Sequence, residues 1–150
     1  MSSYIDFYFD VISAYSYIAH KKIQKIKESQ KVIFNYKPIL LGGLHNLAGI
    51  SAPAFNKYKM KNMQSDCELV SKKSNISFTW NSKFPINSLS IMRGYISANE
   101  NQKDDYLNTF FDAYWNYNLD LSSEKEFSKL LENLKIDSKI FFEKIKEQSI

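Results

Sequence analysis

The 150-residue sequence predicts an α/β protein: a βαβ unit at the N-terminus followed by a long helical region. Three observations carry this reading. Residues 4–38 run through a strand pattern, a helix pattern and a second strand pattern in order. Three of the four glycines cluster immediately afterwards, and the later apolar residues recur mainly at helical spacing.

In "YIDFYF", Ile5, Phe7 and Phe9 alternate with Tyr4, Asp6 and Tyr8, the period-two signature of an aromatic-rich strand. Ser13 then stands where a helix N-cap belongs, since its hydroxyl can accept a bond from a first-turn amide. The helix it opens, over 14–28, carries Tyr15, Ile18, Ala19, Ile23 and Ile26 at helical spacing. "VIFNYKP", Val32 to Pro38, is a second β-rich run ended by proline. Strand, helix and strand in so short a stretch predict parallel strands joined by a right-handed crossover.

"LLGGLHNLAGISAP" reads as a loop with a short helical turn, and helices follow. Met60, Met63, Cys67 and Val70 share one face. A helix after Pro85 is predicted to turn Leu89, Met92 and Ile96 inward, and the next one Leu107, Phe110, Phe111 and Tyr114. Ser123 with Glu126 forms a capping box for the helix around Phe127, Leu130 and Leu131. Asp137 caps a last helix bearing Ile140, Phe141 and Ile145. Residues 1–50 are thus read as the βαβ half and 51–150 as a helical domain.

Composition narrows the function. Apolar residues make up 44% and aromatic residues 15% of the chain, enough to offset the entropy of ordering, so a folded core is expected. No apolar run approaches the roughly 20 residues that span a bilayer. "MSSYIDFYF" lacks the basic region and small-residue cleavage site of a secretory signal, so a cytoplasmic protein without membrane partners is expected. Cys67 is the lone cysteine, which excludes an internal disulfide and a dithiol oxidoreductase mechanism. The two histidines, His20 and His45, have no clustered partners, so no metal site is expected.

The net charge of +4 is uneven: 12 Lys/Arg against 5 Asp/Glu over residues 1–83, and 8 against 11 over 84–150. A basic half suits an anionic small ligand or simply a solvated lysine surface. It lacks the clustered, aromatic-interleaved pattern of a nucleic-acid binder. At Ser13 the helix N-terminus supplies partial positive charge and free amides. A serine hydroxyl does not ionise there. Apart from capping the helix, it can serve as a donor to an anion brought by a ligand, above all to a thiolate.

These residues resemble a known family. "FYFDVISAYSYIA" is similar to the opening of the 2-hydroxychromene-2-carboxylate isomerases and kappa-class glutathione transferases, in the DsbA-like thioredoxin superfamily, where a strand ending in Phe-Asp precedes Ser-Pro-Tyr-Ser. "YKPILLGGL" resembles their second strand and its turn. Lys59 with Met63 and Asp66 resembles a Lys-x-x-Tyr-Met-x-x-Asp signature, and "FPINSLSIMR" a Phe-Pro-x-Asn-Thr-Leu-x-x-Met-Arg helix start. Departures are Ala14 for the usual proline, Ile50 for an asparagine, and Asn62 for the signature tyrosine.

The resemblance implies a thioredoxin-like βαβ unit with a large helical insertion. It implies glutathione as cofactor, Ser13 as the catalytic residue that holds its sulfur, Lys59 as a further glutathione contact, and Asn87 and Arg93 on a small aromatic or anionic substrate. The implied function is a glutathione-dependent cis–trans isomerase, with thiolate addition to a conjugated substrate. The alternatives are a kappa-like transferase and a truncated, inactive binding or structural module. The family's later Gly-x-Phe-Gly-x-Pro segment, its last two strands and its final helix have no counterpart before Ile150. The sheet is therefore expected to lack those strands, as in a fragment or shortened product. Strand-one residues such as Phe7 and Phe9 should then leave exposed surface or an open edge, giving an oligomer that covers it or a poorly stable monomer.

Overall fold

The computed structural model describes residues 3–29 and 32–147, with side chains over 4–26 and 32–147. The chain end at Ile150, on which the truncation expectation turns, lies outside these. Strand β1 (Ser3–Phe9), helix α1 (Ala14–Ser29) and strand β2 (Val32–Pro38) form the expected unit. The strands are parallel, with Ser3 opposite Val32 and Phe9 opposite Pro38. Among the described residues this is a two-stranded sheet. Helices α2 (Leu41–Leu47), α3 (Lys57–Lys73), α4 (Leu89–Ser97), α5 (Lys103–Trp115), α6 (Glu124–Asn133) and α7 (Ser138–Lys144) follow. The fold is thus mostly helical, with a small sheet at one end of the chain.

Local chemistry places the helix starts. Asn56 caps α3 by accepting from the amides of Tyr58 and Lys59, both at 3.1 Å. Ser123 accepts from the Glu126 amide and Asp137 from the Ile140 amide. One hydrophobic cluster runs from Phe9 and Val11 through α1, α4 and α5 to Phe141 and Ile145. Its centre is α5, whose Tyr106, Phe110, Phe111, Tyr114 and Trp115 are fully buried.

Phe9 corrects one expectation. It is 0% exposed, and Phe7 is half-buried, because helices cover the inward face of β1. The Phe9 ring meets Tyr95 of α4 edge-on at 5.1 Å and Phe111 of α5 at 6.2 Å. Burying such a ring contributes on the order of 2–3 kcal/mol, so α4 and α5 cover a ring that was expected to be exposed. The opposite face is the uncovered one: Tyr4, Tyr8 and Ile33 are 67%, 60% and 43% exposed.

Helix α4 differs from the periodicity reading as well. Its buried stripe is Ile91, Met92, Gly94 and Tyr95, whereas Leu89 and Ile96 face outward. The cause is Gly94, against which the Tyr106 hydroxyl and the Phe141 ring pack closely. A hydrophobic pattern gives no weight to glycine, yet here the bare backbone sets which face turns inward. In α7, Phe141 and Ile145 are buried as expected and Ile140 is exposed.

Candidate active site

A cavity of about 870 Å3 opens where three segments converge on the start of α1. One wall is the β1–α1 turn, Ile12 to Tyr15. The second is the start of α2 with His45, Asn46 and the segment from Ile50 to Phe55. The third runs from Phe84 to Ser88, before α4, and the Phe84–Pro85 peptide bond in it is cis. The lining is mainly apolar and contains no Asp, Glu, Lys or Arg side chain. Polar groups at Ser13, His45, Asn46, Ser51, Asn87 and Ser88 are set among it, the usual form of a small-molecule site.

Ser13 is both a cap and a donor. Its Oγ accepts from the Ser16 amide at 3.2 Å, and its carbonyl accepts from the Tyr17 amide at 3.0 Å. Accepting with a lone pair leaves the hydroxyl proton free to donate into the cavity. The amides of Ala14 and Tyr15 belong to the first turn, where a helix offers no internal acceptor. The site therefore favours an anion at the Ser13 end.

The β1–α1 turn is fixed from several sides. The Ser13 amide donates to the Asp10 carbonyl at 3.0 Å. The indole Nε1 of Trp115 donates to the Val11 carbonyl at 2.8 Å, tying the turn to the core helix α5. The Asp10 side chain is 0% exposed. Burial pushes its carboxyl above the usual carboxylate range, opposed by bonds from the Leu41 and Ile12 amides and the Ser88 hydroxyl.

Of the residues expected at the site, the cavity brings together Ser13 and Asn87. The Oδ1 of Asn87 accepts from the Leu89 amide at 3.0 Å, so its Nδ2 remains to serve a ligand. Lys59 is exposed in the first turn of α3 and is not part of the wall. Arg93 is half-buried, with Nη1 donating to the Ile145 carbonyl at 2.9 Å just after α7, and it too lies outside the lining. His45, Ser88 and Asp10 were not singled out from sequence. The first two came to notice only through the fold. Asp10 carried a signal, a lone carboxylate between Phe9 and Val11 three residues before the capping serine.

Next to the cavity, the Tyr15 hydroxyl donates to Asp66 Oδ2 at 2.9 Å, joining α1 to α3. Desolvation, then the Asp66 bond, holds that phenol at about 12. Cys67 is fully buried on α3, and burial pushes its thiol up to about 12, so it is no nucleophile. Among the described residues no group of His, Cys, Asp and Glu is placed to hold a metal ion, and no helix is long and apolar enough to cross a membrane.

A 2-hydroxychromene-2-carboxylate isomerase from Sphingobium xenophagum is 24% identical over 140 residues, which is 92% of this chain and 71% of that protein. Glutathione S-transferase kappa 1 from Caenorhabditis elegans is 40% identical over 76 residues, half of this chain but 34% of the worm protein. A solved 2-hydroxychromene-2-carboxylate isomerase superposes with a TM-score of 0.83 at 23% identity, over 97% of this chain and 72% of that one, which shows a shared fold. The model of the DSBA-like thioredoxin domain matches residues 4–150, and the chain belongs to that family.

Proposed function

We propose that this chain is a glutathione-dependent isomerase that works on a small conjugated, aromatic or anionic substrate by cis–trans isomerisation. The observation that carries the reading is Ser13: a capping serine whose proton is free to donate into an apolar cavity at a helix N-terminus. The names of the similar proteins support it, since they are isomerases and a glutathione transferase. When bound, glutathione supplies a thiol whose ionised form adds reversibly to conjugated systems.

The walls fit the thiol end of such a molecule. The volume suffices, a donor and a helix N-terminus face it, and no carboxylate side chain lines the cavity to repel an anion. Ser13 would hold the sulfur of a bound thiol as a hydrogen-bond donor and, with the first-turn amides, would favour its anionic form. The apolar walls formed by residues such as Ile12, Leu40 and Phe84 exclude water and strengthen that electrostatic hold. Asn87 offers its amide to the substrate. Lys59 is assigned to a glutathione carboxylate from outside the wall. Arg93 reaches a substrate only by leaving the Ile145 carbonyl.

A kappa-like transferase is the second reading, favoured by the match to the worm protein. A binding module without turnover is the third, favoured by the absence of Lys and Arg from the walls. The reading also includes a cytoplasmic setting, where glutathione is abundant and reduced, and self-association through the exposed Tyr4, Tyr8 and Ile33 face. Sedimentation of the purified chain tests the last point, a monomer at all concentrations counting against it.

Titration with reduced glutathione, followed by tryptophan fluorescence, tests the main reading. Trp115 is bonded to the turn beside Ser13, and Trp80 lies 5.0 Å from the Phe84 ring in the wall, so both report on the site. Saturable binding that Ser13→Ala weakens is expected, followed by isomerisation of a conjugated aromatic acid in the presence of glutathione alone. A folded chain that shows no binding refutes the reading.

A further inference from the structure

We propose that Asp10 is the positioning residue of the site, its single carboxylate latching together the three walls that surround Ser13. Oδ1 accepts from the Ile12 amide at 3.0 Å. Oδ2 accepts from the Leu41 amide at 2.8 Å and from the Ser88 hydroxyl at 3.0 Å. Ile12 belongs to the turn that presents Ser13, Leu41 opens α2, and Ser88 immediately precedes α4. All three residues line the cavity, and Leu41 and Ser88 are 31 and 78 positions from Asp10 in the chain. No other side chain among those described is bonded to all three segments.

The latch is an odd choice for stability. A fully buried carboxylate costs desolvation, and Asp10 has no cationic partner among its bonded neighbours. Burial holds its carboxyl above its ordinary value, so ionising it costs more in the folded chain than in the unfolded one. What the ionised form supplies is acceptors on both oxygens, matched here to two backbone amides and a hydroxyl. An asparagine presents one oxygen and one NH2 group. Either orientation of its amide sets the NH2 against a backbone N–H, of Ile12 or of Leu41. Asp10 therefore serves the geometry around Ser13, and its effect on ligand binding rests on the glutathione reading above.

The test compares the full chain with Asp10→Asn and Ser88→Ala. It measures amide hydrogen exchange at Ile12 and Leu41, glutathione affinity, the pH at which bound thiol ionises by ultraviolet absorbance, and circular dichroism. In Asp10→Asn, exchange at Ile12 or Leu41 is expected to speed up by about tenfold or more, the loss of one bond to a charged acceptor. Glutathione affinity should fall by a similar factor while the helical signal is retained. Ser88→Ala keeps the charge and both amide donors. There, affinity is expected to fall severalfold and the ionisation midpoint of bound thiol to move up, together with a change in exchange at Leu41, which shares Oδ2 with Ser88. Loss of a direct Ser88 contact with the ligand leaves that exchange unchanged.

A folded Asp10→Asn with wild-type exchange and wild-type affinity overturns the proposal. If Asp10→Asn fails to fold, Ser88→Ala decides it, and unchanged affinity with an unchanged midpoint overturns it. If the wild-type chain binds no glutathione, the functional reading fails, and exchange at Ile12 and Leu41 alone decides the latch.

Discussion

Ser13→Ala separates two roles that the structure superimposes on one hydroxyl. The change removes the 3.2 Å bond from the Ser16 amide, an N-cap contribution of about 1 kcal/mol. For a chain of this size that lowers the unfolding midpoint by roughly 2–4 °C. It also removes the donor to a bound sulfur. A hydrogen bond to a charged group is worth about 1.5–3 kcal/mol, which corresponds to raising the ionisation midpoint of the bound thiol by about one to two pH units. Ser13→Asp serves as the control, because aspartate caps as well as serine but sets a negative charge against the anion. The assay pairs thermal unfolding with glutathione titration and thiolate absorbance across pH. The expected pattern is a small stability loss with a large ligand effect in Ser13→Ala, and preserved stability with abolished binding in Ser13→Asp. A Ser13→Ala chain that loses the cap energy yet ionises bound thiol at the wild-type pH refutes the argument and leaves Ser13 a helix cap.

Three further outcomes follow from the packing and the titrating groups. Gly94→Ala places a methyl against the Tyr106 hydroxyl and within 2.7 Å of Phe141 Cε2, both on side chains without room to retreat, so a loss of about 1–3 kcal/mol or more in denaturant unfolding is expected. Cys67 should resist a thiol reagent in the native chain and react fully in denaturant, because it is fully buried. Stability should fall as pH rises above about 9. Cys67 moves from 9.0 to about 12 and Tyr95 from 10.0 to about 12 in the folded chain, so the unfolded chain releases these protons first and the equilibrium shifts toward it. Flat stability up to pH 12 contradicts that burial.

The β1–α1–β2 unit was legible because its signals are local: alternation in "YIDFYF", a capping serine, a proline after the second strand. The cap at Ser13 was legible for the same reason, since a cap is decided within four residues. What escaped depends on distant partners. Which way α4 faces is set at Gly94 by Tyr106 and Phe141, from two later helices. Lys59 and Arg93 occupy motif positions, but a motif fixes a backbone location and not where a long side chain ends. The carbonyl of Ile145, lying just past α7 where helical acceptors lack internal donors, takes the Arg93 guanidinium instead.

Asp10 shows the converse. Its neighbours in sequence, Phe9 and Val11, mark it as a polar interruption in an apolar run, and nothing nearby explains why a carboxylate stands there. The explanation lies with Leu41 and Ser88, which reach it only once α1 has crossed back to β2 and the helical region has folded over the strands. A carboxylate whose ionisation is opposed by burial has a use where its acceptors do something that an apolar residue cannot. In this chain that is to close the walls around a single serine. The capping serine is thus readable from a short motif, whereas the carboxylate bonded to three walls of its cavity is readable only from the assembled fold.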